Sequence, residues 1–193
     1  MRKVVLQLMV TLDGYMAGPD GELDWIVAGG ELLEKDHMAI AQAADVAIFG
    51  RNTYDAMASY WPKLADDEAA SPTSREFAKV LNAMPKLVFC AEEETFEWNN
   101  TSACVVADDQ AVVQKITELK AQDGKDILVY GGVKTAQTFV QQDLVDEYHL
   151  DVNPVLLGQG HLLFEGIKDR RDLTLVSTQA FGAGLVALIY RRK

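Results

Sequence analysis

Cysteine, histidine, basic charge and long apolar runs are what this chain has least of, and each shortage removes a class of function. Among its 193 residues are two cysteines, Cys90 and Cys104, and three histidines, His37, His149 and His161. Two thiols are too few for a disulfide framework, and the histidines have no metal-ligand spacing among themselves, so no metal site is expected. Both cysteines stand in apolar stretches and read as buried free thiols of a cytoplasmic protein. No stretch approaches the ~20 apolar residues that a membrane helix needs. The opening MRKVVLQLMV has two basic residues ahead of an apolar run. It alternates like a strand and meets Asp13-Gly14 without a small-residue cleavage site, so it reads as structure rather than a signal segment. Lys and Arg number 18 against 29 Asp and Glu, a formal charge of −11. A diffuse polyanion attracts neither nucleic acid nor an anionic membrane, so neither is expected as a partner. An anionic small molecule would be held against the average field, by helix N-termini, glycine-turn amides and a few placed cations.

What is present is a chain of ordinary globular composition, 49% hydrophobic and 24% charged. Its length suits a single domain, 1–193, with a proper core. KVVLQLMV reads as a strand buried on both faces, followed by turn chemistry at Asp13-Gly14 and GPDGE. Helical spacing follows over 29–43. DVAIFG is a strand, a helix runs from about Asn52 to Ser59, and 60–73 reads as a polar loop with two prolines. A second helix, SREFAKVLNAM, leads to the strand KLVFC; ACVVA, a helix from DDQAVV, and the strand DILVY come next. VKTAQTFVQQD is a helix, LVDEYHLDVN a long strand, GHLLF a short edge, and 173–192 a closing hairpin. Strands alternating with helices give parallel βαβ units, and the helix-poor tail gives an antiparallel end. The expected fold class is α/β with a mixed sheet.

Two junctions carry the strongest chemical signal. At Gly50-Arg51-Asn52-Thr53 and at Gly131-Gly132-Val133-Lys134-Thr135 a strand ends in glycine, and a helix begins with a cation and a hydroxyl. Glycine lets the backbone approach closely, and the first helical amides point outward unpaired. Arginine supplies a forked donor set suited to phosphate. Neither junction is a six-residue dinucleotide fingerprint or a P-loop. Two of them together suit a ligand with phosphates to hold at separated places. A third stretch, 10–25, brings Asp13, Asp20, Glu22 and Asp24 beside Tyr15 and Trp25 at a strand exit. No nucleophile elbow is present. Asp146 and Glu147 are adjacent on a strand, face opposite sides, and form no carboxylate dyad.

In order and separation, TLDGYMA (11–17), GPDGELDW (18–25), FGRNTYD (49–55), VYGGVKTAQTF (129–139), LVDEYHL (144–150) and NPVLLGQGHLLFEG (153–166) resemble the dihydrofolate-reductase-like superfamily. They are most similar to the branch of the riboflavin-biosynthesis deaminase-reductase C-terminal domain and its stand-alone relatives. The resemblance implies a three-layer fold with about eight strands, mostly parallel, and an antiparallel C-terminal strand. It implies NADPH across the strands' carboxyl ends and reduction of a small polar heterocyclic, carbonyl or imine substrate. Gly50, Arg51, Asn52 and Thr53, with Gly131, Gly132, Val133, Lys134 and Thr135, would receive the phosphates. Met16, Ala17 and Gly18 would lie near the nicotinamide. The proton would come from Asp13, from Glu34 (with Glu31 and Asp36 as rivals on the same helix), or from water. Glu92, Glu93 and Glu94 stand where relatives place hydroxyl or basic residues toward a 2′-phosphate, which makes NADH the alternative cofactor. The branch also implies a homodimer. The rival readings are a catalytically silent nucleotide- or metabolite-binding relative and, behind it, a transferase of phosphorylated sugars.

Overall fold

The structure, a computed structural model, describes all 193 residues. Ten strands and five helices follow in order: β1 (Val4–Thr11), β2 (Tyr15–Ala17), α1 (Gly30–Ala43), β3 (Ala44–Gly50), α2 (Arg51–Leu64), α3 (Pro72–Ala83), β4 (Lys86–Cys90), β5 (Thr101–Val105), α4 (Asp109–Ala121), β6 (Asp126–Tyr130), α5 (Val133–Gln141), β7 (Glu147–Asn153), β8 (His161–Leu162), β9 (Leu173–Ala180) and β10 (Val186–Arg192). Eight strands form one sheet in the order β5-β4-β3-β6-β1-β7-β10-β9, and β2 pairs with β8 in a separate ribbon. The pairs from β5 across to β7 are parallel, whereas β10 runs antiparallel to both β7 and β9.

Strand alternation gives the sheet a large core on each face, and a smaller cluster joins Leu33 to Phe181, Leu185 and Ala187. Val4, Leu6, Val46, Ile48, Ile127 and Val129 point to one face and pack on Val112, Ile116, Ala136 and Phe139 of α4 and α5. Val5, Ala47, Phe49, Val88, Leu128 and Tyr130 point to the other, under Ala41, Tyr54, Phe77 and Leu81 of α1, α2 and α3. Two-sided burial explains why the central strands read as continuous apolar runs. Cys90 and Cys104 are free and buried as expected, and burial pushes both thiols up.

The polar loop expected over 60–73 begins later than the sequence suggests. α2 runs through Pro62 to Leu64. Proline in the last turn forfeits a bond that packing replaces: Trp61 meets Phe77 edge-on at 4.8 Å, and Leu64 is buried. α3 starts two residues earlier than expected, because Pro72 takes the first helical position and Ser71 accepts the Ser74 amide at 3.0 Å. The 15–17 stretch, which lies in the loop expected between the turns at 13–14 and 18–22, is a strand because β8 pairs with it. At the base of β4, Lys86 is 1% exposed, donates to the carbonyls of Met84 (2.7 Å) and Asn99 (2.8 Å), and lies 4.5 Å from the Trp98 ring centroid. Burial pushes its amine down to about 8.

Candidate active site

The two glycine junctions meet. β3 and β6 are neighbours, with Phe49 opposite Tyr130, so Gly50 and Gly131 leave the sheet side by side. From there α2 departs over one face and α5 over the other. A crevice outside the carboxyl ends of two such strands is where open α/β sheets bind ligands. Neither Gly50 nor Gly132 has a positive φ, so their role is room rather than conformation. A Cβ on Gly50 would come within 2.5 Å of Thr135 Oγ1, and one on Gly132 within 2.8 Å of Thr53 Oγ1. A Cβ on Gly131 would lie 2.9 Å from the Ala136 amide nitrogen. Each turn therefore makes space for the threonine of the other. α3 and α4 are capped by Ser71 and Asp108, but α2 and α5 have no side-chain cap. Their first-turn amides face the crevice at the positive ends of two helix dipoles, an arrangement suited to a pyrophosphate.

The cations differ from each other. Lys134 is exposed in the first turn of α5. Arg51 is engaged: its Nε donates to both oxygens of Glu94 (3.2 and 2.9 Å), and its Nη1 pairs with Asp55 one turn along α2. The guanidinium carbon lies 5.4 Å from the Phe96 ring centroid. Arg51 stands at the junction as expected, with carboxylates already on its fork.

On the other side of β6, β1 leads into the β2 ribbon. Met16 and Ala17 are buried, 6% and 4% exposed. The Met16 side chain joins the α4/α5 core. Gly160 has φ +130° and passes so close to Ala17 that a Cβ would sit 2.2 Å from the Ala17 carbonyl oxygen. Gly18 closes a turn by donating its amide to Glu22. The edge thus reads, strand by strand, as the 91–94 loop, the 50–53 turn, the 131–135 turn and the 13–18 ribbon. From β4 to β1 this spans three inter-strand steps, roughly 14 Å.

The two proton-donor candidates both accept hydrogen bonds within the protein. Asp13 accepts from Thr11 Oγ1 at 2.6 Å and from the amides of Gly158 (2.8 Å) and Leu157 (3.3 Å). The Thr11 hydroxyl and those amides hold its carboxyl below the usual range, so it is ionised near neutrality and pins the 155–158 loop to β1. Glu34 accepts from Ser74 Oγ at 2.8 Å, and Glu31 from Thr73 Oγ1 at 2.8 Å. Both acids stitch α1 to α3. Asp36 lines a cleft of about 230 Å³ between α1 and the sheet, with His149 and Glu147, and burial pushes its carboxyl up.

Beneath α1 lies a polar stripe that the sequence reading missed. β7 reads Glu-Tyr-His-Leu-Asp-Val-Asn, and its alternation sends Glu147, His149, Asp151 and Asn153 to one face. His37 on α1 meets Asp151 at 2.7 Å, their side chains 14% and 5% exposed. His149 meets Glu147 at 2.8 Å, and Glu147 also receives Lys3 and Arg191. Three of the four buried polar atoms without a partner lie in one row on this face: Tyr130 Oη, Gln7 Oε1 and His149 Nδ1. Gln7 is opposite His149, and on its other side Tyr130 follows the Leu6–Val129 pair. The only signal in the sequence was the acid-and-histidine alternation of β7.

The three-layer architecture and this edge define a dihydrofolate-reductase-like α/β protein. The description "RibD C-terminal domain" matches residues 2–187, and the chain belongs to that family. The uncharacterized protein YyaP of Bacillus subtilis (strain 168) is 33% identical over 189 residues, 98% of this chain and 94% of its own. Among solved structures, the diaminohydroxyphosphoribosylaminopyrimidine deaminase/5-amino-6-(5-phosphoribosylamino)uracil reductase of Thermotoga maritima superposes with a TM-score of 0.66 at 19% identity. That match takes in all of this chain and 57% of the other. Dihydrofolate reductase from Enterococcus faecalis, complexed with NADP(H) and RAB-propyl, gives 0.62 at 12% identity, over 99% and 96% of the two chains. No helix is long and apolar enough to cross a membrane.

Proposed function

We propose that this protein is a reductase that takes hydride from a reduced nicotinamide dinucleotide and delivers it to a small polar heterocyclic or carbonyl/imine substrate, of the aminopyrimidine type named for the Thermotoga relative. The observation that carries the reading is the meeting of two uncapped helix N-termini at the β3/β6 switch point. Gly50 to Thr53 and Gly131 to Thr135 hold the pyrophosphate through backbone amides, the two threonine hydroxyls and Lys134. The Met16–Gly18 backbone and the end of β1 border the nicotinamide. When bound, the dinucleotide supplies the hydride. The chain's own part is to orient the substrate against the polar stripe under α1 and to provide a proton. His37 is the donor: Asp151 fixes one ring nitrogen, and the other makes no hydrogen bond within the protein.

Replacing Lys134 with Ala removes one phosphate contact from an exposed side chain. Binding of the reduced dinucleotide, followed by nicotinamide fluorescence, is expected to weaken roughly 3- to 10-fold, with the loss shrinking as ionic strength rises. Unchanged affinity in a folded variant would place the phosphates elsewhere. Tight binding with no turnover of any aminopyrimidine, pterin or quinone would instead favour a silent relative.

The expected homodimer has a candidate surface in β9, an edge strand with Leu175 and Val176 49% and 45% exposed. Light scattering on the purified protein is expected to give twice the chain mass, and Val176→Lys to give monomer. A monomeric wild type would remove this proposal.

A further inference from the structure

We propose that Glu94 selects the dinucleotide whose adenosine ribose carries a free 2′-hydroxyl, NADH, and rejects the 2′-phosphorylated form. This rests on reading the β3/β6 crevice as a dinucleotide site. β4 flanks β3 on the side away from β6, with Gly50 opposite Phe89, so the 91–94 loop follows directly beside the start of α2. With the nicotinamide at β1 and the pyrophosphate at β6 and β3, the adenosine half falls at this loop.

The loop is anchored there. The Trp98 amide donates to Tyr54 Oη at 3.1 Å, its indole N–H donates to Asn82 Oδ1 at 2.7 Å, and Phe96 packs edge-on against Tyr54 at 4.7 Å. These contacts aim Glu94 at Arg51, and both carboxylate oxygens accept from Nε. Asp55 takes the other side of the same guanidinium. Arg51 is thus outnumbered by Glu94 and Asp55, with Glu92 and Glu93 exposed alongside. Residues 90–94, Cys-Ala-Glu-Glu-Glu, supply no hydroxyl and no base.

A phosphate monoester carries ~1.5 to 2 negative charges at neutral pH. To enter, it would have to displace Glu94 from Arg51 and then remain among uncompensated carboxylates, a like-charge juxtaposition that costs heavily. A hydroxyl is neutral and donates, so it binds a carboxylate that Arg51 already holds in place. That is how an acid recognises the ribose in other dinucleotide folds. Glu94 is therefore a specificity residue, with Arg51 as its positioning partner.

The test is titration of the intact protein with NADH and with NADPH, read by nicotinamide fluorescence, for wild type, Glu94→Gln and Asp55→Asn. Wild type is expected to favour NADH by at least ~10-fold, narrowing as salt screens the charges. Glu94→Gln is expected to bring the two affinities within about 3-fold, chiefly by strengthening NADPH, with an unchanged unfolding midpoint. Asp55→Asn is expected to move the ratio less, because Asp55 lies one turn along the helix. Wild type binding NADPH as tightly as NADH would overturn the inference and leave the reductase reading standing. A folded Glu94→Gln with an unaltered ratio would remove Glu94 as the cause. Failure of both dinucleotides to bind would overturn the site itself, and the inference with it.

Discussion

Substituting Ala for His37 is expected to lower kcat for substrate reduction by roughly 10²- to 10³-fold while leaving dinucleotide affinity within about 2-fold. The reason is placement. His37 is on the inward face of α1, more than four-fifths buried, with Nε2 held by an almost fully buried Asp151. An imidazole fixed at one nitrogen presents the other in one direction, which is what a proton donor requires. Asp13 and Glu34 lack that freedom, since hydrogen bonds within the protein commit both to other elements. Asp151→Asn should also reduce kcat, because the ring loses its orienting carboxylate although the packing volume is kept. Two observations separate chemistry from scaffolding. Added imidazole should restore part of the His37→Ala rate, and a folded His37→Gln, which keeps a polar side chain, should stay slow. A His37→Ala enzyme as fast as wild type would end the assignment.

The second large effect concerns stability in acid. Burial pushes Glu147 up, but the bonds from His149 and Arg191 and the charge on Lys3 outweigh it and bring its carboxyl from 4.5 to about 2. A carboxylate with a depressed folded pKa contributes stability that is complete above the unfolded value and is lost as pH falls through the folded one. The window here is therefore pH 4.5 down to 2. With the side chain 8% exposed, the contribution is about 3 kcal/mol. Glu147→Gln should be destabilised by that order in urea unfolding at pH 7. Its difference from wild type should shrink as pH drops from 4.5 to 2. A difference that stays constant over that range would show that the Lys3–Glu147–Arg191–His149 cluster does not act through charge.

Much of the architecture was legible because it depends on short-range pattern. The two-sided apolar runs of β1, β3, β4 and β6 marked a parallel sheet. The Asp start of α4 and the strand–glycine–helix sequences at Gly50 and Gly131 marked where helices begin. Even the interlocking of the junctions was foreshadowed, since glycine is the residue that close approach demands. The boundaries that slipped did so for tertiary reasons. α2 passes Pro62 because Trp61 finds Phe77, and 15–17 becomes a strand because 161–162 lies beside it. The partners of the proton-donor candidates were likewise set by tertiary contacts. Counting along α1 reached Glu34, but a helix turns 100° per residue, and packing set Glu34 against Ser74 of α3 and His37 against Asp151 of β7.

The sequence by itself determined the class of fold, the starts of α4 and α5, and the two strand–glycine–helix junctions that the sheet brings side by side. All of these follow from backbone preference and local periodicity. Only the tertiary structure decided what each charged side chain faces: Arg51 on Glu94 across 43 residues, His37 on Asp151 across 114, and Lys86 among carbonyls under Trp98. Hydrogen bonds and ion pairs act within a few ångströms, so their partners are set by which distant segments the cores bring together, a property that no local stretch of sequence contains.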